Sequence, residues 1–252
     1  MEKKEWYFEY EIVQNRLGLL GEIASLLGML SINIVMINGV DNKRRVMLLL
    51  AEEFNIRRLK EIIKFVETIN VLKIEEPNLR DRLAVRHGTL IRRNEENHKI
   101  VRFTREEIGL LVDFMAELFK DNKHKIIGVR GMPRVGKTES IVAASVSANK
   151  RWVFISSTML KQTVRNRLIA GEYDEQNIFI IDGAVSKRRA NEEHFQLIRE
   201  IMNLPAVKVI EHPDIFIEGT RFTLEDFDYI IELRTKEDEE ITYHLFEEND
   251  FV

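Results

Sequence analysis

One segment constrains this chain more than any other, because it sets two glycines, a lysine and a threonine in the spacing G-x-x-x-x-G-K-T at residues 131–138. Glycines let a backbone turn sharply and bring its N–H groups close to a phosphate group. A helix that begins directly after such a loop adds the positive end of its dipole. In this spacing Lys137 neutralises the outer phosphates and Thr138 offers a hydroxyl group to Mg²⁺. We therefore predict a site for a nucleoside triphosphate with magnesium, formed by Gly131, Met132, Pro133, Arg134, Val135, Gly136, Lys137, Thr138 and Glu139.

A second motif lies downstream, where the apolar run 178–181 ends in Asp182. We interpret the run as a buried strand and Asp182 as the acid that holds the water shell of the magnesium ion. Thr138 and Asp182 are then the metal-binding candidates, and Lys137 and Asp182 are the catalytic candidates. We expect Lys137 to be partly solvent-facing. The other interpretation of the run is a buried strand that simply ends in an Asp-Gly turn.

From Lys125 onward, segments with the pattern of buried strands alternate with segments that have the pattern of helices. Such alternation is typical of a parallel sheet with helices on both faces. We predict strands at 125–130, 152–157, 177–182, 206–210 and 229–235, with a further one at 241–247, and helices at 137–149, 159–170 and 189–203.

With its glycine-rich loop, its Asp182 strand and this alternation, the region from Lys125 resembles the P-loop NTPase superfamily. The resemblance implies an α/β fold with a doubly wound parallel sheet, and ATP with Mg²⁺ as the bound cofactor. Many motor-type members carry a glutamate directly after the strand-end acid, where this chain has Gly183. Guanine-binding members carry an N-K-x-D signature that this chain lacks, so ATP is favoured over GTP.

Within that superfamily the region is similar to the nucleoside and nucleotide kinases, which close a basic lid over the phosphates. The resemblance gives this role to Lys187, Arg188 and Arg189, and the solvated start of a helix explains the same triplet equally well. These kinases often place an acid after the second strand, where residues 156–158 read Ser-Ser-Thr. Two functions therefore stay open: an enzyme that hydrolyses ATP or passes its phosphate to a small acceptor, and a non-catalytic sensor whose state is read by a protein partner.

The amino-terminal region predicts a different unit. Strand patterns occur at 6–13, 32–40, 45–51 and 70–75, and helix patterns at 19–30 and 56–67, with Asn55 as the N-cap of the second helix. This βαββαβ order, with Asn15-Arg16-Leu17-Gly18 before the first helix and Asn33-Ile34 entering the second strand, resembles the ACT domain, a small ferredoxin-like regulatory domain. The resemblance implies a homodimer and an amino-acid effector bound near Asn15, Arg16, Gly18 and Asn33. A plain ferredoxin-like module that only dimerises is the alternative.

Residues 79–103 differ from both regions in their many arginines, and we interpret them as a basic connector with a partly extended core at 83–91. Thr104 and Glu107 have the spacing of a capping box and predict a helix that runs to about Lys120. The predicted organisation is an ACT-like domain at 1–78, the connector at 79–103 and a P-loop domain at 104–252. The combination resembles an uncharacterised family of spore-forming bacteria.

Composition and charge limit the partners, the metal sites and the cellular location that we expect for this chain. The net charge of −4 does not call for a nucleic acid or a membrane partner, and acids interleaved among the connector arginines favour a solvated surface over an RNA contact. The chain has no cysteine, which excludes disulfides and cysteine-ligated zinc. It shows neither the layout of a signal peptide nor an apolar run long enough to span a membrane. We expect a cytoplasmic protein whose partners are a nucleotide, a small effector and a second copy of itself.

Overall fold

The computed structural model describes residues 2–94, 97–121, 123–158, 160 and 163–242. The chain divides into two units, Met1–Ile91 and Arg92–Val252, so the boundary falls inside the basic segment 79–103. Each unit has its own main sheet. None of the described helices combines the length and the apolar character that crossing a membrane requires.

The first unit is built on a four-stranded antiparallel sheet with the strand order β2-β3-β1-β4. Its strands are β1 (Lys4–Ile12), β2 (Asn33–Gly39), β3 (Arg44–Ala51) and β4 (Ile69–Glu75), and its helices are α1 (Leu19–Met29), α2 (Glu53–Ile62) and α3 (Leu79–His87), with a 3₁₀ turn at Ile63–Phe65. The predicted order of strands and helices, βαββαβ, is therefore confirmed over Lys4–Glu75.

Different elements cover the two faces of this sheet. Successive residues of a strand point to opposite faces. On β1, Phe8 and Tyr10 lie in the main apolar core with residues of α1 and α2, whereas Tyr7 lies in a smaller cluster with Val46 and Val85. Because Val85 belongs to α3, this third helix packs on the face opposite α1 and α2.

Two local predictions for the first unit are wrong. The segment 83–91, predicted as an extended connector core, is helical through His87, because Asn78 and Asp81 form a capping box that starts α3 and the sheet buries its apolar side. The predicted N-cap Asn55 lies inside α2, since the backbone leaves the extended conformation at Glu52 and the helix begins at Glu53.

The second unit contains nine short or medium strands and five helices among the described residues. The strands are β5 (Arg92–Arg93), β6 (Ile100–Thr104), β7 (Lys125–Arg130), β8 (Arg151–Phe154), β9 (Ser156–Ser157), β10 (Thr163–Val164), β11 (Asn177–Asp182), β12 (Val207–Glu211) and β13 (Tyr229–Arg234). The helices are α4 (Ile108–Lys120), α5 (Lys137–Ser147), α6 (Gly183–Arg189), α7 (Glu192–Met202) and α8 (Pro213–Glu218), with 3₁₀ turns at Arg105–Glu107 and Leu224–Asp226.

Seven of these strands form one sheet in the order β5-β6-β13-β7-β12-β11-β8. Every neighbouring pair is parallel except β5 and β6, which are antiparallel. The second unit is therefore a mixed α/β unit with a parallel-dominated sheet, as the alternation of patterns predicted. Parallel strands end at the same edge of a sheet, which is where ligands bind in open α/β sheets. The ends of β7, β12 and β11 are consecutive along that edge.

Several local predictions for this unit are confirmed. Thr104 and Glu107 form the predicted capping box ahead of α4. The strands predicted at 125–130 and 177–182 match β7 and β11 residue for residue. The connector prediction, by contrast, missed β6, which pairs with the distant β13 in the main sheet.

Two predicted helices differ from the structure. In the described part of 159–170 there is no helix, because Thr163 pairs with Ser157 and the N–H group of Arg165 donates to the carbonyl oxygen of Ile155 at 2.9 Å. The helix predicted at 189–203 corresponds to α7, but it starts three residues later than predicted, since Arg189 ends α6, Ala190 is extended and Asn191 caps the start of α7. Of the strand predicted at 241–247, residues 241 and 242 are not in a strand and 243–247 lie outside the described residues.

Candidate functional site

The glycine-rich segment 131–138 connects the end of β7 to the first turn of α5. Gly131 has a φ of +157°, and a Cβ atom there would lie 2.5 Å from the carbonyl oxygen of Leu233. Gly136, with a φ of +108°, is the N-cap of α5, and no side chain in the described part of the chain caps this helix. The first N–H groups of a helix have no acceptor within it. The loop therefore presents helix N–H groups at the ligand-binding edge of the sheet, where they can bind an anion.

Lys137 is folded into this loop. Its Nζ atom donates to the carbonyl oxygens of Gly131 and Met132, both at 2.9 Å. The side chain is only 6% exposed, so the expectation that Lys137 is partly solvent-facing is wrong, because the backbone of the loop wraps around it. Burial lowers the pKa of Lys137, and the nearby carboxyl groups of Glu211 and Asp182 oppose that effect.

The hydroxyl group of Thr138 donates to Oε1 of Glu211 at 2.6 Å. Glu211 is the last residue of β12, the strand that lies between β7 and β11, and it is 5% exposed. Burial raises the pKa of Glu211 to about 7, and the carboxylate of Asp182 adds to the rise, whereas Thr138 and Lys137 act in the opposite direction. The partner of the predicted magnesium-binding hydroxyl group is therefore Glu211.

Asp182 ends β11 directly opposite Glu211 in the register of the two parallel strands. Its Oδ1 atom accepts hydrogen bonds from the N–H groups of Ala184 at 3.0 Å and Val185 at 3.1 Å. The hydroxyl group of Thr158 donates to Oδ2 at 2.6 Å. In this structure the carboxylate thus caps α6, while its position beside Glu211 keeps it at the same edge of the sheet as the loop.

Close packing accounts for Gly183, the residue that directly follows Asp182. A Cβ atom at this position would lie 2.7 Å from the carbonyl oxygen of His212 and 2.9 Å from Cβ of Phe216. Contacts this short require the backbone to shift. A glutamate of the kind that motor-type ATPases carry here does not fit between α6 and the start of α8.

The functional candidate that the sequence analysis missed is Glu211. The strand predicted at 206–210 stopped one residue short of it. The signal was present, because Val207–Glu211 is a mainly apolar strand that ends in an acid, the same pattern that singled out Asp182. Lys208 interrupts the apolar run and weakens the pattern.

A network of paired charges holds the strands on either side of the loop. The guanidinium group of Arg130, the residue just before the loop, binds both carboxylate oxygens of Asp214, at 2.8 and 2.6 Å, and one oxygen of Glu232 at 3.4 Å. Glu232 also accepts hydrogen bonds from Arg102 at 2.9 Å and Arg234 at 2.7 Å. Bidentate arginine–carboxylate pairs are geometrically specific. The bidentate pair of Arg130 and Asp214 joins β7 to α8, and the single hydrogen bonds to Glu232 join β6 and β7 to β13.

The three residues predicted to form a basic lid lie in the last turn of α6: Lys187, Arg188 and Arg189. Lys187 pairs with Glu218 of α8, with 2.5 Å between Nζ and Oε2. In the middle of the same helix, the buried Ser186 hydroxyl group lies 3.0 Å from Nε2 of His194 in α7. The helix that carries the lid candidates is therefore held to both α7 and α8.

The four effector candidates lie in the first unit. Asn15, Arg16 and Gly18 are in the connection between β1 and α1, and Asn33 begins β2. Gly18, with a φ of +87°, is the N-cap of α1. Arg16 pairs with Glu22 through two hydrogen bonds of 2.6 and 2.5 Å. In this structure the guanidinium group predicted to meet an effector carboxylate thus contacts the carboxylate of Glu22.

The fold and the site define a mixed α/β protein in which a glycine-rich loop, a buried lysine and two strand-end carboxyl groups lie at one edge of a parallel-dominated sheet. Residues 71–252 match the family described as protein of unknown function (DUF3388), and the chain belongs to that family. Over 247 residues it is 66% identical to the "Uncharacterized protein YmfK" of Bacillus subtilis (strain 168), covering 98% of this chain and 92% of that protein.

Among solved structures, the chain is similar to the crystal structure of phospho-2-dehydro-3-deoxyheptonate aldolase (DAHP synthase) from Thermotoga maritima. The identity is 10%, the TM-score is 0.22, and the match covers 83% of this chain and 69% of that one. A likeness this weak carries no argument about fold or function.

Proposed function

We propose that the second unit is a P-loop domain with a doubly wound sheet, and that it binds ATP with Mg²⁺ at residues 131–139. The observation that carries the proposal is the loop itself, in which the Lys137 ammonium group is held by the carbonyl oxygens of Gly131 and Met132 beside the uncapped start of α5. A phosphate group can accept hydrogen bonds from the first N–H groups of the helix and attract Lys137 away from those carbonyl oxygens. The loop is thus already shaped around a positive charge.

In this proposal Thr138 and Asp182 are the residues that would hold Mg²⁺ at the nucleotide site. Among the described residues, no group of three or more histidine, aspartate or glutamate side chains is arranged to hold a metal ion. The ion is accordingly proposed to take phosphate oxygens, water and the Thr138 hydroxyl group as ligands, a coordination that Mg²⁺ commonly uses. Asp182 is proposed to hold the water shell. When bound, Mg²⁺ would neutralise charge on the phosphates.

Two uses of the nucleotide are supported by different observations. An enzyme that hydrolyses ATP or transfers its phosphate group to a small acceptor is supported by Lys137, Thr138 and Asp182, since positioning and electrostatics supply most of phosphoryl-transfer catalysis. A sensor read by a protein partner is supported by the tight packing at Gly183, which leaves no room for the motor-type glutamate. Measuring phosphate release with the purified protein, alone and with a panel of small alcohols and amines, separates the two.

For the first unit we propose an ACT-like regulatory domain that forms a homodimer in the cytoplasm and binds an amino acid near Asn15, Arg16, Gly18 and Asn33. Support comes from the βαββαβ order and from the edge strands β2 and β4. An edge strand exposes backbone groups that favour pairing. On β2, Val35 is 47% exposed and Met36 is 43% exposed, which gives this edge apolar side chains that a second copy can cover.

The proposed nucleotide site is tested by Lys137→Met, which keeps an apolar stem and removes the ammonium group. We expect the affinity for Mg-ATP to fall by roughly 10- to 100-fold, because a hydrogen bond to a charged group contributes about 1.5–3 kcal/mol. Calorimetric titration measures the affinity, and thermal unfolding verifies the fold. Lys236→Met, at an exposed position of the same unit, is the matched control and should bind like the wild type.

The same titration with GTP tests the preference for ATP. Equal affinity of Lys137→Met and the wild type for Mg-ATP would sink the loop assignment. Clearly tighter binding of GTP than of ATP would leave the loop in place and overturn the choice of base.

A further inference from the structure

The carboxyl group that accepts a hydrogen bond from Thr138 lies outside the glycine-rich segment 131–138. The Oγ1 atom of Thr138 lies 2.6 Å from Oε1 of Glu211, a residue 73 positions away in the sequence. The two meet because β12 is the immediate neighbour of β7, with Glu211 in register with Val129 near the end of β7. The end of β12 therefore faces the first turn of α5, where Thr138 lies.

Asp182, the acid predicted to hold the water shell of the magnesium ion, accepts its hydrogen bonds from other groups than Thr138. Its carboxylate accepts two helix N–H groups and the hydroxyl group of Thr158. Two of these donors belong to α6 and the third to the residue that follows β9, and they leave one lone pair of Oδ2 for the proposed water shell. In the described part of the chain, Thr138 is the side chain that donates a hydrogen bond to Glu211.

We propose that Glu211 is the positioning residue that orients the Thr138 hydroxyl group toward the magnesium ion; this inference rests on the proposed nucleotide site. A hydroxyl group has one hydrogen and two lone pairs. When Thr138 donates its hydrogen to Glu211, both lone pairs of the oxygen are turned away from the carboxyl group and are available to a cation. Groups that orient a metal ligand in this way commonly change metal affinity by 10- to 100-fold.

The charge around Glu211 agrees with a cation at Thr138. Glu211 is almost fully buried, and Asp182 lies opposite it in the register of β11 and β12, so two carboxyl groups lie close together at this edge of the sheet. The Lys137 ammonium group compensates part of this accumulation of negative charge. A divalent ion held by Thr138 would compensate the rest, because a bound cation is often the largest local charge in a site.

The test is a double-mutant cycle on Thr138→Val and Glu211→Met, read as the factor by which saturating Mg²⁺ tightens ATP binding relative to EDTA. Each single variant should lose roughly 10- to 100-fold of that factor. The double variant should lose no more than the larger single loss, because both changes remove the same oriented hydroxyl group. Glu211→Gln keeps an oxygen that accepts the Thr138 hydrogen and should retain most of the magnesium effect. ATP affinity in EDTA should change little in any of these variants.

Losses that add in the double variant would overturn the inference, since Glu211 would then act independently of Thr138. If Glu211→Met alone does not fold, the comparison is made between Thr138→Val and the double variant, which leaves no unsatisfied hydroxyl group. These two should show the same magnesium effect, and a further loss in the double variant would also overturn the role of Glu211. A wild-type protein that binds no ATP in either condition refutes the proposed function, whereas ATP binding with additive losses refutes only the role of Glu211.

Discussion

Lys208 and Lys137 are both buried lysines, and their places relative to the sheet separate their roles. Lys137 lies at the start of α5, at the edge of the sheet where the parallel strands end, and the carboxyl groups of Glu211 and Asp182 are close to it. Lys208 is fully buried in the first half of β12, where its Nζ atom contacts the carbonyl oxygen of Leu204 and lies 3.0 Å from Nδ1 of His124. Burial lowers the pKa of Lys208 to about 8, and the carboxylate of Asp228 partly opposes this. We assign Lys208 a structural role.

Lys208 should make stability depend on pH in the alkaline range. Its pKa is about 8 in the folded chain and 10.5 in the unfolded chain, so the unfolded state binds more protons between these values. Stability therefore rises with pH across this window and is lost as pH falls from 10.5 through 8. The difference corresponds to roughly 3 kcal/mol at most, at about 1.4 kcal/mol per pH unit.

Urea unfolding of the wild type and of Lys208→Met at pH 7.5, 9 and 10.5 measures this contribution. The free energy of unfolding of the wild type should rise relative to that of the variant as pH increases. A constant difference between the two proteins across these three values would show that Lys208 does not carry the predicted shift.

At the scale of the element, α6 is a short helix whose position is set at several points. Asp182 caps its start, the Ser186 hydroxyl group contacts His194, and Lys187 pairs with Glu218. The absence of a side chain at Gly183 lets the helix begin against the backbone of residues 211 and 212. The basic residues of its last turn are thus carried by a helix that the rest of the unit holds in place.

We expect Gly183→Ala to destabilise the second unit by about 1–3 kcal/mol, because an added methyl group overpacks the contact with His212. The matched control is Gly109→Ala in α4, where a Cβ atom would meet nothing within 4 Å. That change should stabilise the protein by about 0.5–1 kcal/mol, since alanine favours helix more than glycine does. Chemical denaturation of both variants decides the matter, and equal stabilities would contradict the close approach at Gly183.

At the scale of the whole molecule, the two units divide the proposed roles between them. The loop, Asp182 and Glu211 all belong to the unit that begins at Arg92, and the effector candidates belong to the unit that ends at Ile91. The packing of the neighbouring elements supports the same boundary, because α3 packs on the sheet of the first unit and β6 is a strand in the main sheet of the second. Cutting the chain between residues 91 and 92 leaves both sheets whole.

A fragment of residues 92–252 should therefore fold, bind Mg-ATP with the affinity of the full chain and remain monomeric, whereas the full chain should be a dimer. Light scattering measures the masses and calorimetry the affinity. A second fragment, 104–252, loses β5 and nearly all of β6 and leaves β13 at an open edge, so it should be less stable and prone to aggregate. A dimeric 92–252 fragment would place the association in the second unit instead.

The sequence by itself determined the features that depend on residues close together in the chain. The spacing of Gly131, Gly136 and Lys137, the capping box of Thr104 and Glu107, and the βαββαβ order of the first unit are of this kind, because local backbone preferences and apolar periodicity produce them. Tertiary structure decided the rest: the burial of Lys137, the loss of the helix predicted at 159–170, and the pairing of Thr138 with Glu211. Each of these depends on which strands become neighbours, and the order β7-β12-β11 brings together residues that no local pattern connects.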